Sequence, residues 1–271
     1  MNNFSLEQLP LAAHHTSEVL TQCFSFIDLT SLNATDTPDK IAAMMEKVND
    51  FPKRFPELPN VAAVCVYPNL ASIARSALQA SEVKIAAVGA CFPSSQSFIE
   101  VKCEECRLTV AVGADEIDIV ISLGAFLANN HELMQDEIRQ IKKAIGEAHL
   151  KVILETGALN PEQIAIASQL SIEAGADFIK TSTGKMEPAA TPEAAWIMCH
   201  AIKDYFDKTG KKIGFKPAGG IITAQDAVIY YTIVKTVLGE TWLTPKLFRL
   251  GASRLANNLL TEITCKTVNY F

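Results

Sequence analysis

Short β-branched or apolar runs alternate with helical patterns eight times along the 271 residues of this chain, and few folds accommodate that rhythm. Strand patterns fall at 23–28, 61–66, 84–90, 116–122, 151–155, 178–182, 212–216 and 247–250. Helical patterns fall at 38–50, 69–79, 96–112, 131–149, 161–174, 192–208, 224–238 and 253–264. Asn160-Pro161 and Thr191-Pro192 are start signals, since proline at the first helical position lacks only an amide that the helix would leave unpaired anyway. Gly113 and Gly175 stand where a helix would stop just ahead of the next strand. Strands joined through helices pair in parallel. The chain is therefore expected to be α/β, a single (β/α)8 TIM barrel, with a doubly wound open sheet as the alternative.

An extra amphipathic helix near 6–20 is expected ahead of the barrel, as an N-terminal capping segment (1–22) across its bottom. No linker or low-complexity stretch divides the chain, so 1–271 reads as one domain, a length near the ~250 residues such a barrel takes. Residues 265–271 form a candidate mobile tail, and its Tyr270 would be a candidate proton relay if the tail folded over the barrel mouth.

Composition narrows the function classes. With 49% hydrophobic and 20% charged residues the chain can bury a large core. A net charge of −6 argues against a broad nucleic-acid-binding face, although a local cationic pocket remains open. The first 20 residues have neither a basic start nor a continuous apolar stretch, so no signal peptide is expected. No apolar run approaches the ~18 residues of a membrane span, and a cytoplasmic protein is expected. Seven cysteines do not suggest a disulfide framework. Cys103 and Cys106 share a helical stripe with Ile99 and Val110, which reads as core rather than as a metal or redox pair. The five histidines read as helix surface.

Two lysines carry the chemistry. Each ends an apolar strand pattern just before a Gly-rich turn, in Phe178-Ile179-Lys180-Thr181-Ser182-Thr183-Gly184-Lys185 and in Gly214-Phe215-Lys216-Pro217-Ala218-Gly219-Gly220. Lysine is almost never fully buried without a partner or a purpose. A barrel builds its active site at these strand ends. A desolvated lysine beside a second cation becomes an amine nucleophile toward carbonyls. Lowering its pKa from about 10.4 to about 7 takes roughly 4 kcal/mol, within reach of burial plus a neighbouring ammonium. On this argument alone either Lys180 or Lys216 could be the nucleophile.

Gly113-Ala114-Asp115 and Gly175-Ala176-Asp177 open the fourth and sixth strands alike, so Asp118 and Lys180 stand at the same offset. Alternate strands feed one interior layer, which sets Asp118 as an acid–base partner for the lysine. A structural Asp–Lys ion pair is the plainer alternative. Gly219-Gly220 and Gly251-Ala252-Ser253 follow the last two strands, where barrels commonly hold a phosphate, and Thr183-Gly184-Lys185 adds an amide and a cation. A small phosphorylated carbonyl compound would fit.

At these residues the chain resembles deoxyribose-phosphate aldolase. The two lysine motifs, Phe248-Arg249-Leu250-Gly251-Ala252-Ser253, Ile27-Asp28-Leu29-Thr30, Val64-Cys65-Val66-Tyr67-Pro68 and residues 113–120 carry the resemblance, which runs from about 26 to 260. It implies a (β/α)8 class I aldolase that needs neither metal nor cofactor. Such an enzyme reversibly cleaves 2-deoxy-D-ribose 5-phosphate to D-glyceraldehyde 3-phosphate and acetaldehyde. It implies Lys180 as the Schiff-base residue, Lys216 as the cation that lowers its pKa, and Asp118 as the acid–base group. Gly184, Lys185, Gly219, Gly220, Gly251 and Ser253 match the phosphate-binding positions, and a homodimer is an open expectation. The chain departs from the pattern at Arg254, where many members carry a second serine, and at Ile222, where an Arg or Lys is frequent. A metal-dependent aldolase or isomerase would need histidines at strand ends, which offer Asp28, Asp118 and Glu155 instead. A non-catalytic sugar-phosphate-binding protein is the rival outside enzymes.

Overall fold

The computed structural model describes residues 4–271. Its centre is a sheet of eight parallel strands: β1 Ile27–Thr30, β2 Ala63–Val66, β3 Lys84–Val88, β4 Glu116–Val120, β5 His149–Ile153, β6 Phe178–Lys180, β7 Gly214–Lys216 and β8 Leu250–Ala252. The strands pair in sequence order from β1 to β7, and β8 pairs with β1. Single bridges from Phe215 to Phe248 and from Ala218 to Gly251 join β7 to the β8 side and close the barrel. The expected barrel is the observed fold, and the open sheet is not.

Helices ring the barrel, each turning one apolar stripe inward. In Pro38–Arg54 the buried residues are Ile41, Met45, Val48 and Phe51, at helical spacing. In His131–Ile145 they are Met134, Ile138, Ile141 and Ile145. Thr37, Asn130, Asn160, Thr191 and Thr223 cap helices by accepting an amide with their side chains, and Asn160 with Gln163 completes a capping box. Cys106 is fully buried in Ile99–Ala111, and Cys103 is partly so. Among the described residues no helix is long and apolar enough to cross a membrane.

Several boundaries differ from the sequence reading. The apolar run 23–28 is split: Cys23–Ser25 finish the helix Ser17–Ser25, and the strand starts at Ile27. A short buried apolar run fits either element by periodicity. The helical pattern 131–149 stops at Ile145, because Gly146 takes a positive φ of 59° and His149 already opens β5. The strand pattern 247–250 is displaced toward Leu250–Ala252.

The single N-terminal helix expected at 6–20 is instead a 3₁₀ turn at Leu6–Gln8, one helical turn at Leu11–His14, and Ser17–Ser25 capped by Thr16. Pro10 interrupts the pattern, since it has no amide to continue a helix. This segment lies against the last helices of the ring. His14 Nδ1 meets the Thr232 hydroxyl at 3.0 Å, and the Tyr231 hydroxyl donates to Gln22 Oε1 at 3.0 Å.

The tail is packed as well. Tyr270 donates its hydroxyl to the Lys47 carbonyl at 2.7 Å, and Phe271 stacks on Phe51 with ring centres 5.8 Å apart. Phe51 and Phe55 belong to the end of Pro38–Arg54 and the residue after it, which lie at the opposite end of that helix from the barrel mouth. The structure therefore places Tyr270 away from the strand ends. Phe51 is fully buried and touches Phe24, Phe55, Tyr270 and Phe271. Phe51→Ala should cost about 3–5 kcal/mol in urea unfolding, as ring deletions from a packed core do; a loss under about 1 kcal/mol would mean the cluster is not a core.

Candidate active site

The two Gly-Ala-Asp entries do the same work. Asp115 Oδ2 accepts the Ile85 amide at 2.8 Å and pairs with Arg75 at 2.7 Å. Asp177 Oδ2 accepts the Leu150 amide at 2.8 Å and pairs with Lys142 at 2.7 Å. Each aspartate thus ties the foot of its strand to the preceding strand, which sets the register. Three residues further along, Asp118 and Lys180 turn into the barrel together. In the β6–β7 pairing Lys180 stands directly beside Lys216.

The three side chains converge. Lys180 Nζ lies 2.8 Å from Asp118 Oδ2, and Lys216 Nζ lies 2.7 Å from the same oxygen. Asp118 and Lys216 are wholly buried, and Lys180 is only 3% exposed. The other Asp118 oxygen is taken by Lys151, at 3.1 Å.

The network extends beneath them. Lys216 also pairs with Asp28 Oδ2 at 2.5 Å, and Lys151 with Glu116 at 2.5 Å and Asp28 at 3.5 Å. Arg249 forks between Asp28 at 2.6 Å and Glu116 at 2.8 Å. The residue pattern assigned no role to Glu116, Lys151 or Arg249, the first and last standing only inside motifs, and marked Asp28 only as a strand-end carboxylate and a motif residue. The usable signal was the one that singled out the lysines: a charge inside an apolar strand run.

Proton affinities separate the two lysines. Burial pushes the Lys180 ammonium down, Asp118 opposes this, and the Lys216 charge adds to it; the net shift is downward. Lys216 is equally desolvated, but Asp118 and Asp28 together carry it well above the usual lysine range. Lys151, with three carboxylates around it, is also raised. Asp118 is desolvated as well, yet Lys151, Lys180 and Lys216 hold it far below the usual carboxylate range. The two buried lysines are thus shifted in opposite directions, Lys180 toward weaker and Lys216 toward tighter proton binding. Cys65, also buried in β2, has its thiol pushed up by burial.

Above the network a cavity of about 240 Å³ opens at the strand ends, with Lys180 on its floor. Its walls contain all six expected anion-site residues: Gly184 and Lys185, Gly219 and Gly220, Gly251 and Ser253. Gly184, Gly219 and Gly220 have φ values of 73°, 85° and 76°, a region that side chains rarely enter. Among the described residues their amides donate to no protein acceptor, and all three glycines line the cavity. The Lys185 ammonium donates to the Leu32 carbonyl at 2.6 Å, across the mouth. Arg254 stands exposed on the rim, one residue before the helix Leu255–Thr264. Ile222 lines the same cavity and donates its amide to Asp226. Among the described residues no three His, Cys, Asp or Glu side chains are grouped to hold a metal ion.

Gly251 is closely packed against β7 and the residues after it. A Cβ there would meet the Ala218 Cβ at 2.7 Å and the Lys216 Cε at 3.1 Å. Gly251→Ala should therefore destabilise the protein by about 1–3 kcal/mol, as overpacking does. Chemical denaturation measures this, and wild-type stability would rule out the close approach.

Residues 24–237 match the model of the DeoC/LacD family aldolases. The human protein named deoxyribose-phosphate aldolase is 44% identical over 256 residues, covering 90% of this chain and 80% of its own. The mouse protein of that name is 43% identical over 256 residues, with the same coverage of 90% and 80%. The tetrameric deoxyribose phosphate aldolase structure from Aeropyrum pernix shares the fold, with a TM-score of 0.74 at 23% identity, covering 96% of this chain and 97% of that one. By these matches the chain belongs to the DeoC/LacD family of aldolases.

Proposed function

We propose that the protein is a class I aldolase that reversibly cleaves 2-deoxy-D-ribose 5-phosphate to D-glyceraldehyde 3-phosphate and acetaldehyde, in the breakdown of deoxyribose from deoxyribonucleotides. One observation carries this reading: a buried lysine on a cavity floor, pushed toward its neutral form, sharing one carboxylate oxygen with a lysine that stays protonated.

The neutral Lys180 amine adds to the C1 aldehyde of the open-chain sugar. Asp118 Oδ2, at 2.8 Å, takes the proton released from that nitrogen. Loss of water leaves a protonated imine. Removal of the C3 hydroxyl proton then drives cleavage of the C2–C3 bond, and its electron pair moves into the imine as an enamine. D-glyceraldehyde 3-phosphate departs. Protonation at C2 and hydrolysis of the imine release acetaldehyde and return the neutral amine. Lys216 supplies the fixed positive charge that favours an uncharged Lys180, and can donate a proton that Asp118 relays. The phosphate would rest on the amides of Gly184, Gly219 and Gly220, with Lys185, Ser253 and the start of the helix Leu255–Thr264 beside it.

Incubation with acetaldehyde and sodium borohydride should give a single ethyl adduct by intact mass, lost in Lys180→Ala. A folded wild type without an adduct would end the class I reading in favour of a sugar-phosphate-binding protein. Because Lys180 is lowered, adduct formation should fall as acid protonates the free amine, and Asp118, held far below the usual carboxylate range, should not set that midpoint. Arg254→Ser should raise KM for the phosphorylated sugar by roughly 3- to 30-fold with kcat unchanged, the loss of one charge-assisted contact. An unaltered KM would mean that the guanidinium points away from the phosphate.

A further inference from the structure

The buried layer contains four cations, Lys151, Lys180, Lys216 and Arg249, against three carboxylates, Asp28, Glu116 and Asp118. With every group ionised it holds one positive charge too many. A surplus charge in a dry interior is expelled most cheaply as a proton. Contacts decide which cation gives it up. Lys151 touches three carboxylates, and Lys216 and Arg249 touch two each. Lys180 touches only Asp118, through an oxygen that Lys216 also occupies.

We propose that Arg249 is a positioning residue for Lys180: by pairing with Asp28 and Glu116 it leaves the layer one positive charge in excess, and Lys180 is the cation that surrenders it. The inference rests on Lys180 being the Schiff-base amine. Arg249 makes no contact with Lys180 and acts through the carboxylates between them. It is only 4% exposed, and its guanidinium is also fixed by the Pro245 carbonyl and lies near the Phe178 ring, 5.9 Å from its centre. The direction of the lysine shifts agrees, with Lys180 lowered and Lys151 and Lys216 raised. The groups acting on Lys180 are Asp118 on β4, Lys216 on β7 and the Cys65 thiol on β2, with Lys151 on β5 and Asp28 on β1 connected to it through Asp118 and Lys216. None of these supplies a charge that would replace Arg249.

The test is the pH midpoint of acetaldehyde adduct formation at Lys180, trapped with cyanoborohydride and read by intact mass. R249M removes the surplus, so Lys180 should keep its proton longer and the midpoint should rise by about one pH unit. E116Q enlarges the surplus and should lower the midpoint by a similar amount. The double variant R249M/E116Q restores one excess charge and should return the midpoint to near wild type. R249K keeps the charge and should leave the midpoint in place. A purely structural arginine would alter stability in R249M and R249K alike without these opposed shifts. A folded R249M with the wild-type midpoint overturns the inference; if R249M does not fold, an E116Q midpoint that stays or rises does so. Absence of any Lys180 adduct in the wild type at every pH would overturn the Schiff-base reading itself, a separate outcome.

Discussion

Everything at the centre of this barrel depends on one carboxylate. Asp118 gives one oxygen to Lys180 and Lys216 and the other to Lys151. Three ammonium groups would not share a dry interior without it. Three ammonium groups around one carboxylate also leave none of them fully neutralised. The lysine with no second carboxylate is the one whose proton is held most weakly. Proximity therefore produces both a stable arrangement and an unequal one, and the inequality is what chemistry can use.

Such a layer is a poor device for stability. Desolvating seven ionisable side chains costs more than most ion pairs return, and apolar residues of similar volume would serve a barrel as well or better. The surroundings offset that cost by conventional means. Capped helices press apolar stripes onto the sheet, and Asp115 and Asp177 lock the strand feet. The phenylalanine and tyrosine cluster around Phe51 fastens both the N-terminal helix and the tail to the ring.

The alternation of elements was enough to read the barrel, because seven helical crossovers leave eight parallel strands little choice. The site was legible where a charge broke an apolar run at a strand end, as at Lys180 and Lys216, and where the shared Gly-Ala-Asp entries set the offset of Asp118. Glu116, Lys151 and Arg249 stood in apolar runs too. They sit at the beginning of a strand pattern, or just before β8, and such places look like exposed strand feet until a register is known. Which lysine binds its proton less tightly was out of reach of the residue pattern for the same reason: it turns on Asp28, which reaches Lys216 and does not touch Lys180. Helix ends at Ser25 and Ile145 were missed because apolar and polar periodicities overlap at a boundary, and backbone angles such as that of Gly146 decide the outcome.

The barrel's closure has a last consequence. Other neighbouring strands are zipped by continuous ladders, but β7 and the β8 segment meet through isolated bridges and the hydrogen bonds Phe215 to Leu247, Arg249 to Phe215 and Gly251 to Pro217. This is the thinnest seam of the wall. The cavity straddles its upper end, with Gly219 and Gly220 on one lip and Ser253 and Arg254 on the other. An anion gripped by both lips acts as one more rung on the ladder. Its binding energy would then become closure energy, and binding would strengthen the barrel along the edge where its wall is thinnest.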